Sequence, residues 1–168
     1  MSNFFHSGIT GLANLAYNNG AAVVVILDNR TTAMTGSQNH PGTGITIRGE
    51  QTTSLNLEEL VKALGIRWVR TINPYDIKKT RKDIKEALES EGPAVIISKA
   101  PCVLLKSRNV SGKRLRVDSD ACTGCKVCIG IGCPAIEFKD DKAYINDMCV
   151  GCGVCADLCG PSAIGGGE

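Results

Sequence analysis

The sequence predicts an α/β domain built on a parallel sheet, followed by a small α+β module rich in cysteine. Two observations carry that prediction. Helical spacings and apolar β-branched runs alternate from Phe4 to about Pro101. Eight of the nine cysteines then fall between Cys122 and Cys159. Taken in order, Phe4 to Asn19 has helical spacing (Ile9, Leu12, Ala13, Ala16) and stops at Asn19-Gly20. Ala22 to Leu27 is an unbroken apolar run, which reads as a strand buried on both faces. Residues 28–53 are rich in Gly, Thr, Ser, Asn and Pro without periodicity, and so long a loop in a compact domain is usually functional. Ser54 or Asn56 caps a helix through Leu64 that Gly65 closes. Ile66 to Ile72 is a short strand, Tyr75-Asp76 opens a helix to about Ser90, and Gly92-Pro93 introduces a buried strand, Ala94 to Ser98. Strand, helix, strand, helix, strand implies parallel pairing with right-handed crossovers. The expected division is 1–101 for the α/β part, 102–118 for a basic connector and 119–168 for the cysteine module.

Bulk properties narrow the function classes. A chain of 168 residues, 43% hydrophobic and 21% charged, has apolar area enough for a core. No apolar run approaches the ~20 residues of a membrane span. A net charge of +2 without a basic, aromatic-interleaved stripe argues against nucleic acid. The cluster Lys78, Lys79, Arg81, Lys82 is followed by acids and reads as a solvated helix face.

The cysteines form two consecutive runs. Cys122-Thr-Gly-Cys125-Lys-Val-Cys128 is followed by Cys133-Pro134, and Cys149-Val-Gly-Cys152-Gly-Val-Cys155 by Cys159. Three thiolates two residues apart with a remote fourth is the bacterial-ferredoxin arrangement for paired [4Fe–4S] clusters, in which each fourth ligand serves the other cluster. One cluster then takes Cys122, Cys125, Cys128 and Cys159; the other takes Cys149, Cys152, Cys155 and Cys133. Zinc sites normally use isolated pairs rather than triplets, and disulfides need an oxidising compartment for which the N-terminus carries no signal sequence. Four residues rather than three separate Cys128 from Cys133, with Gly130 and Gly132 able to absorb the insertion. Gly160 also offsets the second Cys-Pro step. A segment this small cannot bury an adequate core, so the clusters should supply its folding energy. Oxygen-sensitive clusters and reduced thiols point to the cytoplasm of an anaerobic or microaerophilic cell. Ligation by cysteine alone suits a low potential, near about −400 mV.

The long loop holds the second chemistry. Asp28-Asn29 stands at the C-terminal end of a buried parallel strand, where α/β folds bind ligands. The Asn29 side chain and the Thr31 carbonyl are hard oxygen donors suited to Mg²⁺, which is commonly completed by phosphate oxygens. The same residues also read as a strand-end turn held by Asx hydrogen bonds, and composition does not separate the two.

Phe4-Phe-His-Ser-Gly8, Ile26-Leu-Asp-Asn-Arg-Thr-Thr-Ala-Met-Thr-Gly36 and Gly92-Pro-Ala-Val-Ile-Ile97, followed by two cluster motifs, resemble the C-terminal part of the large subunit of indolepyruvate ferredoxin oxidoreductases. The resemblance covers essentially the whole chain. It implies a thiamine diphosphate-binding α/β domain followed by a 2[4Fe–4S] ferredoxin-like domain. It implies oxidative decarboxylation of an arylpyruvate to an acyl-coenzyme A, with electrons relayed through the two clusters to an external ferredoxin. It also implies a second subunit, a cofactor loop of Asp28, Asn29 and Thr31 with Asn29 and Thr31 on Mg²⁺, and Gly8 as the small residue beside the diphosphate. His6, near that loop, is a candidate catalytic residue. The family's Gly-Asp pair, whose aspartate is a further Mg²⁺ ligand, has no counterpart before Phe4, so the thiamine domain is expected to be truncated and inactive without a completing segment or chain. The alternatives are a stand-alone electron carrier and an inactive remnant of a split gene. Cys102 reads as a buried structural thiol, His40 as a loop residue with the border of the substrate pocket as the alternative, and Trp68 as core.

Overall fold

A computed structural model describes residues 3–105 and 113–166. The chain forms two compact units, Met1–Arg108 and Asn109–Glu168.

The first unit opens with a π-helical turn, Phe4–Gly8, that runs into helix α1, Ile9–Tyr17. A single helix was the expectation from spacing; the first turn is instead π-helical, and His6 on it is exposed. Strand β1 is Val23–Asp28, α2 is Leu57–Ala63, β2 is Trp68–Ile72, α3 is Ile77–Leu88 and β3 is Ala94–Lys99. The three strands form one parallel sheet in the order β1-β3-β2, with Val25 opposite Ile96 and Arg70 opposite the same residue on the other side. Both caps foreseen at the helix starts are present. Asn56 Oδ1 accepts from the amides of Glu58 and Glu59 at 3.0 and 3.4 Å, and Asp76 Oδ1 accepts from Lys79 at 3.0 Å.

The sheet separates two apolar layers. Leu12, Ile26, Leu57, Val61, Ile66, Val95 and Ile97 pack together on the side of α1 and α2, while Ile72, Ala87, Ala94 and Ile96 pack on the side of α3. Only β3 is buried along both faces. The expectation that β1 is buried on both faces is not met: Val25 and Leu27 are 51% and 64% exposed. The reason is positional, because β1 is an edge strand and α3 packs on β2 and β3. Trp68 is half-buried, with the Arg70 guanidinium 5.1 Å from its ring.

The second unit carries two small antiparallel ladders. Strand β4, Leu115–Val117, pairs with β7, Ile164–Gly166; β5, Ile136–Lys139, pairs with β6, Lys142–Ile145. Helix α4, Val154–Asp157, is a single turn within the second cysteine run. Residues 115–117 were expected in the connector, but here they are a ladder strand of this unit; residues 106–112 of that connector lie outside the described residues. No helix among the described residues is long and apolar enough to cross a membrane.

Candidate functional site

At the C-terminal end of β1 the chain turns sharply. Asp28 is 2% exposed, the Arg30 amide donates to its Oδ1 at 3.1 Å, and the Arg30 guanidinium lies 3.6 Å from Oδ2. The Thr31 amide donates to Asn29 Oδ1 at 3.4 Å. These are Asx turns, and they leave the carboxamide oxygen of Asn29 a second lone pair. Arg30 adopts a left-handed backbone, φ +58°, which costs a non-glycine residue on the order of 1 kcal/mol. The turn is held against the end of β3, where the amides of Ala100 and Cys102 donate to the carbonyls of Asp28 and Asn29 at 3.0 and 2.9 Å. Half-buried Cys102 thus contributes its backbone to the loop.

Thr31 is 2% exposed, yet its hydroxyl has no hydrogen-bond partner among the described residues. A buried, unsatisfied hydroxyl is costly. The Asn29 oxygen and the Thr31 carbonyl are hard donors of the type Mg²⁺ takes. The donor chemistry of the loop therefore fits a metal-bound diphosphate.

Gly8 and His6 both belong to the first helical turn. A Cβ on Gly8 would come 3.0 Å from the Phe4 ring, so the first turn itself already favours a small residue here. His6 is exposed and makes no hydrogen bond or ion pair among the described residues. A second histidine, His40, lies within the loop itself. It is 7% exposed, stacks on Phe5 at 5.3 Å, and accepts from the Gly42 amide at Nδ1, 3.1 Å. That bond places the proton on Nε2, which is buried with no partner among the described residues. Burial lowers the His40 pKa against the opposing charge of Asp28, keeping the ring neutral. Its signal in the sequence was His40-Pro-Gly42, since a Cβ on Gly42 would lie 3.1 Å from Phe5 and 3.2 Å from His40.

In the second unit the two cysteine runs repeat in backbone as well as in sequence. Gly124 and Gly151, each two residues after the first cysteine of a triplet, have φ of +67° and +66°. Lys126 and Gly153, two residues further on, are again left-handed. The Gly151 amide donates to Cys149 Sγ at 3.4 Å, and amides of Ala143 and Gly124 lower the Cys122 pKa by hydrogen bonding. Gly124 admits no side chain: its Cβ would fall 2.5 Å from the Asp141 carbonyl oxygen. The additional residue between Cys128 and Cys133 is taken up by a 3₁₀ turn, Ile129–Ile131, ended by left-handed Gly132.

Cys122, Cys125, Cys128 and Cys159 line one cavity together with Phe138 and Ala143. Burial raises the Cys128 pKa, and the neighbouring Cys122, Cys125 and Cys159 raise it further. Cys155 is pushed up to about 11 by burial, then by Cys152 and Cys149. Cys133 packs against the same apolar core. Bare thiolates this close and this buried repel one another, a cost that bonding to iron cancels. Among the described residues, no three His, Cys, Asp or Glu side chains converge as they would on a single ion. A cubane cluster spreads its thiolates over four separate irons, so the donor set fits that group without such convergence.

The first unit is thus of the class that places a ligand loop at the ends of parallel strands. The family described as thiamine pyrophosphate enzyme, C-terminal TPP binding domain, matches residues 2–98, and the chain belongs to that family. It is similar to indolepyruvate oxidoreductase subunits IorA of several organisms. Identity is 44% with that of Methanothermobacter thermautotrophicus, over 88% of this chain and 24% of the relative. It is 44% with that of Pyrococcus abyssi, over 84% and 22%, and 41% with that of Archaeoglobus fulgidus, over 97% and 27%. The chain spans about a quarter of the length of these relatives.

Proposed function

We propose that this chain is the cofactor-loop and electron-relay portion of a thiamine diphosphate-dependent 2-oxoacid:ferredoxin oxidoreductase acting on arylpyruvates such as indolepyruvate. In this reading residues 1–101 are the C-terminal part of the thiamine diphosphate-binding domain and 119–168 a ferredoxin-like domain. The observation that carries it is the gathering of Cys122, Cys125, Cys128 and Cys159 around one cavity, in a chain whose other unit is a thiamine pyrophosphate-binding domain. Bound thiamine diphosphate supplies the carbanion chemistry of oxidative decarboxylation. Asn29 and Thr31 would hold Mg²⁺, and Asp28 keeps their loop in shape through Arg30. His40, neutral and with Nε2–H unsatisfied, can donate one hydrogen bond toward substrate or cofactor. The eight cysteines would hold two [4Fe–4S] clusters, with amides at Cys122 and Cys149 stabilising the negative charge there. A second subunit, coenzyme A and an external ferredoxin complete the reaction, which belongs to the cytoplasm.

The test is Asn29→Ala in the assembled enzyme. Loss of thiamine-dependent turnover with unchanged iron content supports the loop assignment; retained turnover overturns it.

A further inference from the structure

A groove of about 550 Å³ runs along the second unit between β4 and the β5–β6 hairpin. Arg114, Arg116, Lys139 and Lys142 line it, with Tyr144 and the single acid Asp140. Residues 109–168 contain six Lys and Arg against eight Asp and Glu, so four of the six cations of a net acidic segment share this one groove. Some of that charge is already answered: Arg114 pairs with Asp147, and Lys139 pairs with Glu137 at 2.6 Å and lies over the Tyr144 ring. Arg116 is exposed and has no partner among the described residues.

The groove backs directly on the first cysteine cavity. Ala143 of β6 lines both, and Lys142 Nζ donates to the Cys122 carbonyl at 2.5 Å. Only the thickness of one strand separates a molecule in the groove from Cys122, Cys125, Cys128 and Cys159. A basic, partly aromatic surface in that position matches a redox protein with an acidic face around its own centre. Complementary charge of this kind steers encounter and sets orientation.

We propose that the Arg114–Arg116–Lys139–Lys142 groove docks a small acidic iron–sulfur protein, the external electron carrier of this chain. The redox role rests on the cluster assignment above; the docking itself does not.

The experiment is calorimetric titration of an acidic 2[4Fe–4S] ferredoxin into the full chain, reconstituted anaerobically with iron and sulfide. Arg116→Glu/Lys139→Glu should weaken binding about tenfold or more, and Arg116→Ala should weaken it less, both with unchanged iron content. Lys78→Glu, the same charge change on α3, should leave it alone. Wild-type affinity should fall steeply as salt rises from about 50 to 500 mM. Wild-type affinity in the double variant, an equal loss in Lys78→Glu, or no binding at low salt overturns the proposal. A chain that takes up no iron defeats the cluster reading, while the same titration still decides the groove.

Discussion

At the scale of single residues, the ion network of the first unit shows what a buried acid does. Asp83 is 2% exposed; Lys79 Nζ donates to it at 2.7 Å and Arg70 Nη1 at 2.6 Å. Arg70 also reaches Glu86 at 2.6 Å. The Lys79 hydrogen bond, followed by that of Arg70, holds the Asp83 carboxyl below its ordinary pKa against the cost of burial. A depressed carboxylate pKa means that the unfolded state binds the proton first as pH falls. The contribution is therefore complete above the ordinary carboxylate pKa of about 3.9 and is lost as pH drops through the folded value. Asp83→Ala should cost about 1–2 kcal/mol at neutral pH, discounted because both cations reach solvent. Chemical denaturation at pH 7 and pH 3 checks this: the deficit should narrow at pH 3, and a variant as stable as the parent at pH 7 would contradict it. The same scale separates the two histidines. His6 is exposed, whereas His40 is buried and stacked on Phe5.

At the scale of elements, β3 carries the first unit. Its residues Ala94 to Ile97 are all at most 1% exposed, paired on both sides and packed on both faces. Ile96→Ala should destabilise the unit by about 2–5 kcal/mol, measured by thermal or denaturant unfolding, through lost burial and the cavity left behind. A loss below about 1 kcal/mol would mean that β3 is not central. Most of this unit was legible in the sequence because the signals were local. Asn56 and Asp76 mark helix starts, Gly65 a helix stop, and Ala94 to Ile97 an apolar run too short for a helix. What was not legible is nonlocal. An apolar run such as Val23 to Leu27 reads alike at the centre and at the edge of a sheet, and only strand order exposes Val25 and Leu27. Strand β4 was hidden for the same reason: three residues, Leu115 to Val117, become a strand only because Ile164 to Gly166 pairs with them. In the candidate loop, the Asp28-Asn29 turn was foreseen, whereas the orphaned Thr31 hydroxyl depends on burial that no spacing encodes.

At the scale of the whole molecule, two units carry two chemistries. The first belongs to the thiamine pyrophosphate-binding family and presents hard oxygen donors at a strand end. The second packs six of its cysteines into one small apolar core with residues such as Ile136, Ile145 and Ile164. The central claim is that those cysteines hold two clusters, each completed by the distant cysteine of the other run. Iron and acid-labile sulfide per chain after anaerobic reconstitution tests it most directly, in wild type and in Cys159→Ser. The account predicts about eight of each in the wild type. It predicts about four in Cys159→Ser, with the signal of the Cys149, Cys152, Cys155 cluster retained in reduced-state electron paramagnetic resonance. A wild type that binds zinc in place of iron, or a Cys159→Ser chain that keeps both clusters, would contradict it.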